Sequence, residues 1–151
     1  MPTSRPIIQS AMQSALYAAI FFTVVLLVTT AYFLLGGLPL LVLQHDTPVD
    51  ARFIRGFFNV YYKAAFLAAA GATASFALSG RPLFALGIGA VALLVLVLRR
   101  RLIPAMELLG ERIQSSDAKA LDSFRRVHST ALLANLAQLI ALVWGLTRIS
   151  L

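Results

Sequence analysis

Residues 15–43 contain no charged side chain. At 1.5 Å per residue a straight helix of that length exceeds the roughly 30 Å hydrocarbon core of a bilayer. Something in it must bend, tilt or stop. Gly36-Gly37-Leu38-Pro39 is the expected place, because proline removes an amide donor and crowds the preceding turn. The segment reads as a span over 15–35, a kink, and a short continuation at the interface, with Tyr17 near one end where interfacial aromatics sit. It is too long for a signal-peptide core and lacks a convincing cleavage site, so it is expected to be retained.

Composition carries the same message along the whole chain. Of 151 residues 60% are hydrophobic and 13% charged, where a soluble domain carries nearer a quarter charged. The formal net charge is +7, but the basic residues flank apolar runs instead of clustering on a water-facing surface. They point to membrane topology and not to nucleic acid. Cysteine is absent, which excludes disulfides, thiolate metal ligands and a cysteine nucleophile.

Three further spans follow. The second covers 53–78; its first half places Arg55, Asn59, Tyr62 and Lys63 on one face by i, i+4, i+7 and i+8 spacing. Its second half is rich in Ala and Gly, which lets neighbouring backbones approach. Ser79-Gly80-Arg81-Pro82 supplies a C-terminal glycine stop and a proline start, a tight helical hairpin. The third span, 83–98, is short and depends on Arg81 and Arg99 reaching the headgroups. Beyond the basic stop Arg99-Arg100-Arg101, the spacing of Met106, Leu109 and Ile113 predicts a short amphipathic helix on the membrane surface. Ser115-Ser116-Asp117 offers a capped start to the last helix, whose span is 127–147 and whose Trp144 reads as an interfacial anchor. The fold class is all-α: one membrane domain over 1–151, a four-helix, four-span bundle with an amphipathic cytoplasmic helix.

Orientation follows from the basic residues. Arg5, Arg81 and Arg148 lie on the side of the termini and the hairpin. Arg52, Arg55, Arg99, Arg100, Arg101, Arg112, Lys119, Arg125 and Arg126 lie on the other. The positive-inside rule puts the larger loops in the cytoplasm and both termini outside an inner membrane.

Spans two and four then enter from the same side. Lys63 lies eight residues past Arg55 and Asn135 seven past His128, which are similar depths. If the two polar faces meet, Asn59, Tyr62, Lys63, His128, Asn135 and Gln138 line a groove with Arg55 and Arg125 at its mouth. No acidic residue lies within a span, so Lys63 must snorkel, lose its proton, borrow a loop carboxylate or meet an anionic ligand. The bland readings compete with this: Asn135 and Gln138 as packing hydrogen bonds, His128 as a boundary histidine, the arginine run as a headgroup anchor. His45 and His128 lie on one side with Asp46, Asp50, Glu107 and Glu111, but without metal-binding spacing. No metal and no cofactor is expected.

The stretch Phe124-Arg125-Arg126-Val127-His128, with Asn135 seven residues on, resembles the start of the last helix in a small four-span membrane family of unknown function. That family is related to the animal cisplatin-resistance transmembrane protein and, more loosely, to the anthrone-oxygenase-like membrane proteins. Ile103 to Leu109 and Phe57 to Tyr62 are similar to the family's end of helix three and start of helix two. The resemblance implies a four-span bundle and draws attention to the same His and Asn. Its looser branch implies cofactor-independent oxidation of an aromatic, polyketide-like substrate.

Three functions are consistent with these features. The first is binding of a small amphipathic or anionic ligand, or of a membrane-protein partner, in the groove. There Lys63 holds negative charge, Tyr62 and Asn135 donate hydrogen bonds and His128 responds to pH. The second is an enzyme with His128 as general base on a lipid-soluble phenol and Lys63 stabilising the anion. The third is a structural accessory subunit, or a homo-oligomer, packed through Ala and Gly faces.

Overall fold

The computed structural model describes residues 4–42, 48–114 and 118–149, all but a few of them helical. Four long helices follow one another: α1 (Ser4–Val42), α2 (Pro48–Leu78), α3 (Pro82–Gln114) and α4 (Ala118–Leu146). Three of them are long and apolar enough to cross a membrane, over Pro6–Val42, Pro82–Ile113 and Lys119–Leu146. α2 is of comparable length, but its apolar side chains include nine alanines and are diluted by Asp, Arg, Tyr, Asn and Lys.

Each helix buries a stripe in which steps of three and four residues alternate. In α1 it runs Ala19, Thr23, Leu26, Thr30, Phe33, Gly37; in α2, Ile54, Phe58, Tyr61, Ala65, Ala68, Ala72, Ser75. In α4 it runs Phe124, His128, Ala131, Asn135, Gln138, Leu142. The mean period of 3.5 is that of helices packed side by side at a shallow left-handed crossing. Many large apolar side chains face outwards as well, among them Phe21, Val28, Leu67, Leu93, Leu133 and Ile140. Apolar surface therefore lies outside as well as inside, and Thr, Tyr, Asn and Gln share the interior with Ala, Leu and Phe. Contiguous apolar surface of that extent requires lipid or a partner around it.

Every helix packs against two neighbours, in the order α1, α2, α3, α4 and back to α1. α2 and α4 are diagonal, as are α1 and α3, and neither diagonal pair is in backbone contact among the described residues. Contacts give the register. Gly36 meets Phe57 while Gly71 meets Phe22, so α1 and α2 are antiparallel. Gly89 meets Thr73 while Gly110 meets Ala51, and the same holds for α2 and α3.

The hairpin between α2 and α3 forms as its sequence predicts. Gly80 has φ +72°, the left-handed conformation that ends a helix without a Cβ penalty. The Arg81 amide donates to Phe76 O at 3.0 Å and the Gly80 amide to Ala77 O at 3.2 Å, and Pro82 opens α3.

α1 is helical through Gly36-Gly37-Leu38-Pro39 to Val42, about 58 Å at 1.5 Å per residue, so the continuation expected beyond Pro39 is part of the same helix. The glycines serve contact: a Cβ on Gly37 would stand 2.6 Å from Leu132 Cδ2, and one on Gly36 would stand 3.0 Å from Phe57 Cζ. Likewise the short third span and the separate amphipathic helix are one element. α3 runs unbroken through Pro104, whose side chain faces outwards, and its cytoplasm-facing portion under the sequence reading is a continuation of the same rod. The Ser115-Ser116-Asp117 start and His45 lie outside the described residues.

Candidate functional site

The diagonal placement of α2 and α4 decides what their polar faces do. The two helices stand at matching depth, as their spacing predicts, but long side chains must cross the centre to meet. Tyr61 does so: its hydroxyl donates to Asn135 Oδ1 at 2.6 Å. Asn135 Nδ2 in turn donates to the Tyr62 hydroxyl at 3.2 Å and to Ala131 O at 2.7 Å. Gln138 Nε2 donates to the Tyr61 oxygen at 3.4 Å and to Thr30 Oγ1 at 3.3 Å. Thr30 spends its own proton on Leu26 O at 2.8 Å. A hydroxyl has one proton to give, so the donors run in one direction, from Gln138 to Tyr61 to Asn135 to Tyr62. Three helices are tied through one network.

Aromatic packing surrounds it. Phe33 of α1 stacks on Tyr61 with centroids 3.9 Å apart and meets Phe58 edge-on at 4.7 Å. The Phe58 ring lies 5.0 Å from that of His128 at 84°. Tyr62, His128 and Asn135 are wholly buried and Gln138 nearly so.

The expected groove therefore does not form as such. Of its members, Tyr62, His128, Asn135 and Gln138 come together in the centre. Asn59 and Lys63 do not. Asn59 turns to α3, where its Oδ1 accepts from Arg99 Nε at 3.1 Å. Lys63 is exposed; it lies two residues from Tyr61, about 200° round the helix. Arg125 is half-buried. Arg55 pairs with Glu107 across α2 and α3. Among the described residues no cluster of metal-ligating side chains exists.

Tyr61 and Thr30 are the members that sequence reasoning missed. Both lie on the buried three-four stripes, and following the step from Phe58 to Tyr61, and from Leu26 to Thr30, would have found them. The polar series beginning at Arg55 instead led to Tyr62 and Lys63.

A ligand-sized space lies elsewhere, at the hairpin end of the molecule. A hollow of about 410 Å³ opens between α3 and α4, with Thr23 of α1 and Phe76 of α2 also lining it. Its wall is almost entirely apolar, made by Leu83, Phe84, Ile88, Val91 and Leu142, with Trp144 and Arg148 at one end. The Arg148 guanidinium carbon stands 5.2 Å from the Trp144 ring centroid, a cation–π distance. Gly87 and Gly145 line the same hollow, and a Cβ on either would meet nothing within 4 Å. The missing side chains of these two glycines, one on each helix, leave the space unfilled. None of His128, Asn135 and Gln138 lines it. A half-open apolar hollow with one cation at its end can hold a greasy body and orient an acidic end.

Comparison with protein-family models, with characterised proteins and with solved structures finds no match to this chain.

Proposed function

We propose that this chain is a four-span protein of an inner membrane that binds a small amphipathic ligand, apolar in body and anionic at one end, in the hollow between α3 and α4. The observation that carries the reading is the chamber itself: about 410 Å³, apolar-walled, left open by Gly87 and Gly145, with Arg148 at its end. That volume falls within the range of small-molecule sites.

The fourth span is α2. Its modest hydropathy comes from the exposed Arg52 and Lys63 as well as from side chains that turn inwards, Tyr61, Tyr62 and Ser75 among them, while Phe53, Val60, Leu67 and Leu78 face out. With the arginine-rich ends in the cytoplasm, the chamber sits towards the outer leaflet. The likeness of Phe124, Arg125, His128 and Asn135 to the four-span family belongs to the same proposal. In this reading the Tyr61–Asn135 network sets the helix register and the chamber does the binding.

The test is native mass spectrometry of detergent-extracted protein, with identification of co-purifying small molecules, on wild type, Gly87→Leu with Gly145→Leu, and Arg148→Gln. A defined amphiphile should accompany wild type, be lost when the chamber is filled, and be weakened by Arg148→Gln. The same molecule retained by the filled variant would refute the site. A stoichiometric protein partner, with no small molecule, would favour the accessory-subunit reading.

A further inference from the structure

Lys63 is the cation that the polar core leaves outside, and its surroundings define a second site. It borders a hollow of about 260 Å³ on the outer seam of α2 and α3, with Tyr62, Phe66, Leu67, Leu96 and Arg99. Among the described residues neither Lys63 nor Arg99 pairs with a carboxylate; the ion pair on this seam, Arg55 with Glu107, lies farther along it. Arg99 is aimed by Asn59, which accepts from its Nε at 3.1 Å and leaves the terminal nitrogens of the guanidinium for another acceptor.

The hollow is also polarised along the helix axes. α2 and α3 are antiparallel, so Phe66 and Leu67, which follow Lys63, and Leu96, which precedes Arg99, lie on the same, deeper side of the two cations. Charge stands at the end nearer the arginine run, and apolar surface leads from it towards the middle of the membrane. A phosphate with an acyl chain beneath it has this shape and charge order. Two cations with no acid beside them also favour a headgroup of net negative charge over a zwitterionic one.

We infer that Lys63 and Arg99 form a seat for one anionic phospholipid of the cytoplasmic leaflet, its phosphate between the two cations and one acyl chain against Phe66, Leu67 and Leu96. The inference rests on α2 and α3 spanning the membrane. It is independent of the α3–α4 chamber, which shares none of its lining residues and lies nearer the hairpin. Asn59 acts here as a positioning residue for Arg99.

The experiment is lipid titration of the delipidated full chain by native mass spectrometry, comparing phosphatidylglycerol with phosphatidylcholine. The variants are Lys63→Gln, Arg99→Gln, the double variant, Lys63→Arg, and Arg101→Gln as an exposed charge control. One phosphatidylglycerol should bind wild type preferentially. Each Gln substitution should weaken it about fivefold and the double about 25-fold, while Lys63→Arg and Arg101→Gln retain it. Equal binding of the two lipids, or equal losses in Arg101→Gln and Lys63→Gln, would overturn the seat. Alkaline-carbonate extraction of membranes, run alongside, tests the spanning reading separately. A chain washed off by carbonate overturns both, and a retained chain with no lipid preference overturns the seat alone.

Discussion

The bond from Tyr61 to Asn135 is the shortest link between two helices whose backbones are not in contact, and its removal has a calculable consequence. Tyr61→Phe deletes one hydroxyl and leaves Asn135 Oδ1, at 2.6 Å, without its donor. Asn135→Ala deletes the acceptor together with the donation to Tyr62, and leaves a small void in a fully buried position. Hydrogen bonds between membrane helices average about 0.6 kcal/mol in double-mutant cycles and reach about 1.7 kcal/mol. The 2.6 Å separation is at the short end for a hydroxyl donor, so a coupling of about 1 to 1.7 kcal/mol is expected. Asn135→Ala alone should cost about 2 to 3 kcal/mol, the void adding to the lost bonds. The assay is reversible unfolding in mixed micelles for wild type, both single variants and the double, with Tyr61→Phe combined with Thr73→Ala as a distant pair. That distant pair should be additive to within about 0.5 kcal/mol. A Tyr61–Asn135 coupling below about 0.3 kcal/mol, with unchanged denaturant slopes, would refute the cross-core bond.

Other substitutions test the packing. Gly37→Val puts methyl groups where Leu132 Cδ2 already stands 2.6 Å from an added Cβ; it should cost about 1 to 3 kcal/mol, and its combination with Leu132→Ala should cost less than the sum of the two. Gly80→Ala keeps φ at +72° only at a cost of about 1 kcal/mol, read as a lower unfolding midpoint. Glu107→Gln removes a half-exposed partner of Arg55, so its effect should stay below about 1 kcal/mol and shrink further as salt is raised.

The sequence features that proved legible are those decided within one helix or one turn. Apolar runs and the Gly80-Arg81-Pro82 hairpin depend on local chemistry, and a reader of residues alone has all of it. The depth of Asn135 relative to the second helix was legible too, because rise per residue is the same in every α-helix. A proline removes one donor, but a helix long and well packed on both sides of it can continue. Pro39 and Pro104 both lie inside unbroken helices.

Which face of a helix meets which neighbour belongs to the packed set. Lys63 and Tyr61 are two residues apart in one polar segment, yet one is exposed and the other ties α2 to α4. The step from Phe58 marks Tyr61 as the inward one, but only the diagonal placement of α2 and α4 shows that a side chain as long as tyrosine, pointing to the centre, is what reaches Asn135. The chamber is likewise a property of two helices: Gly87 and Gly145 are 58 positions apart in the chain, and only packing α3 beside α4 sets their missing side chains around one space. Periodicity determines that a helix has an inward face; shape, length and the order of the helices determine what that face touches.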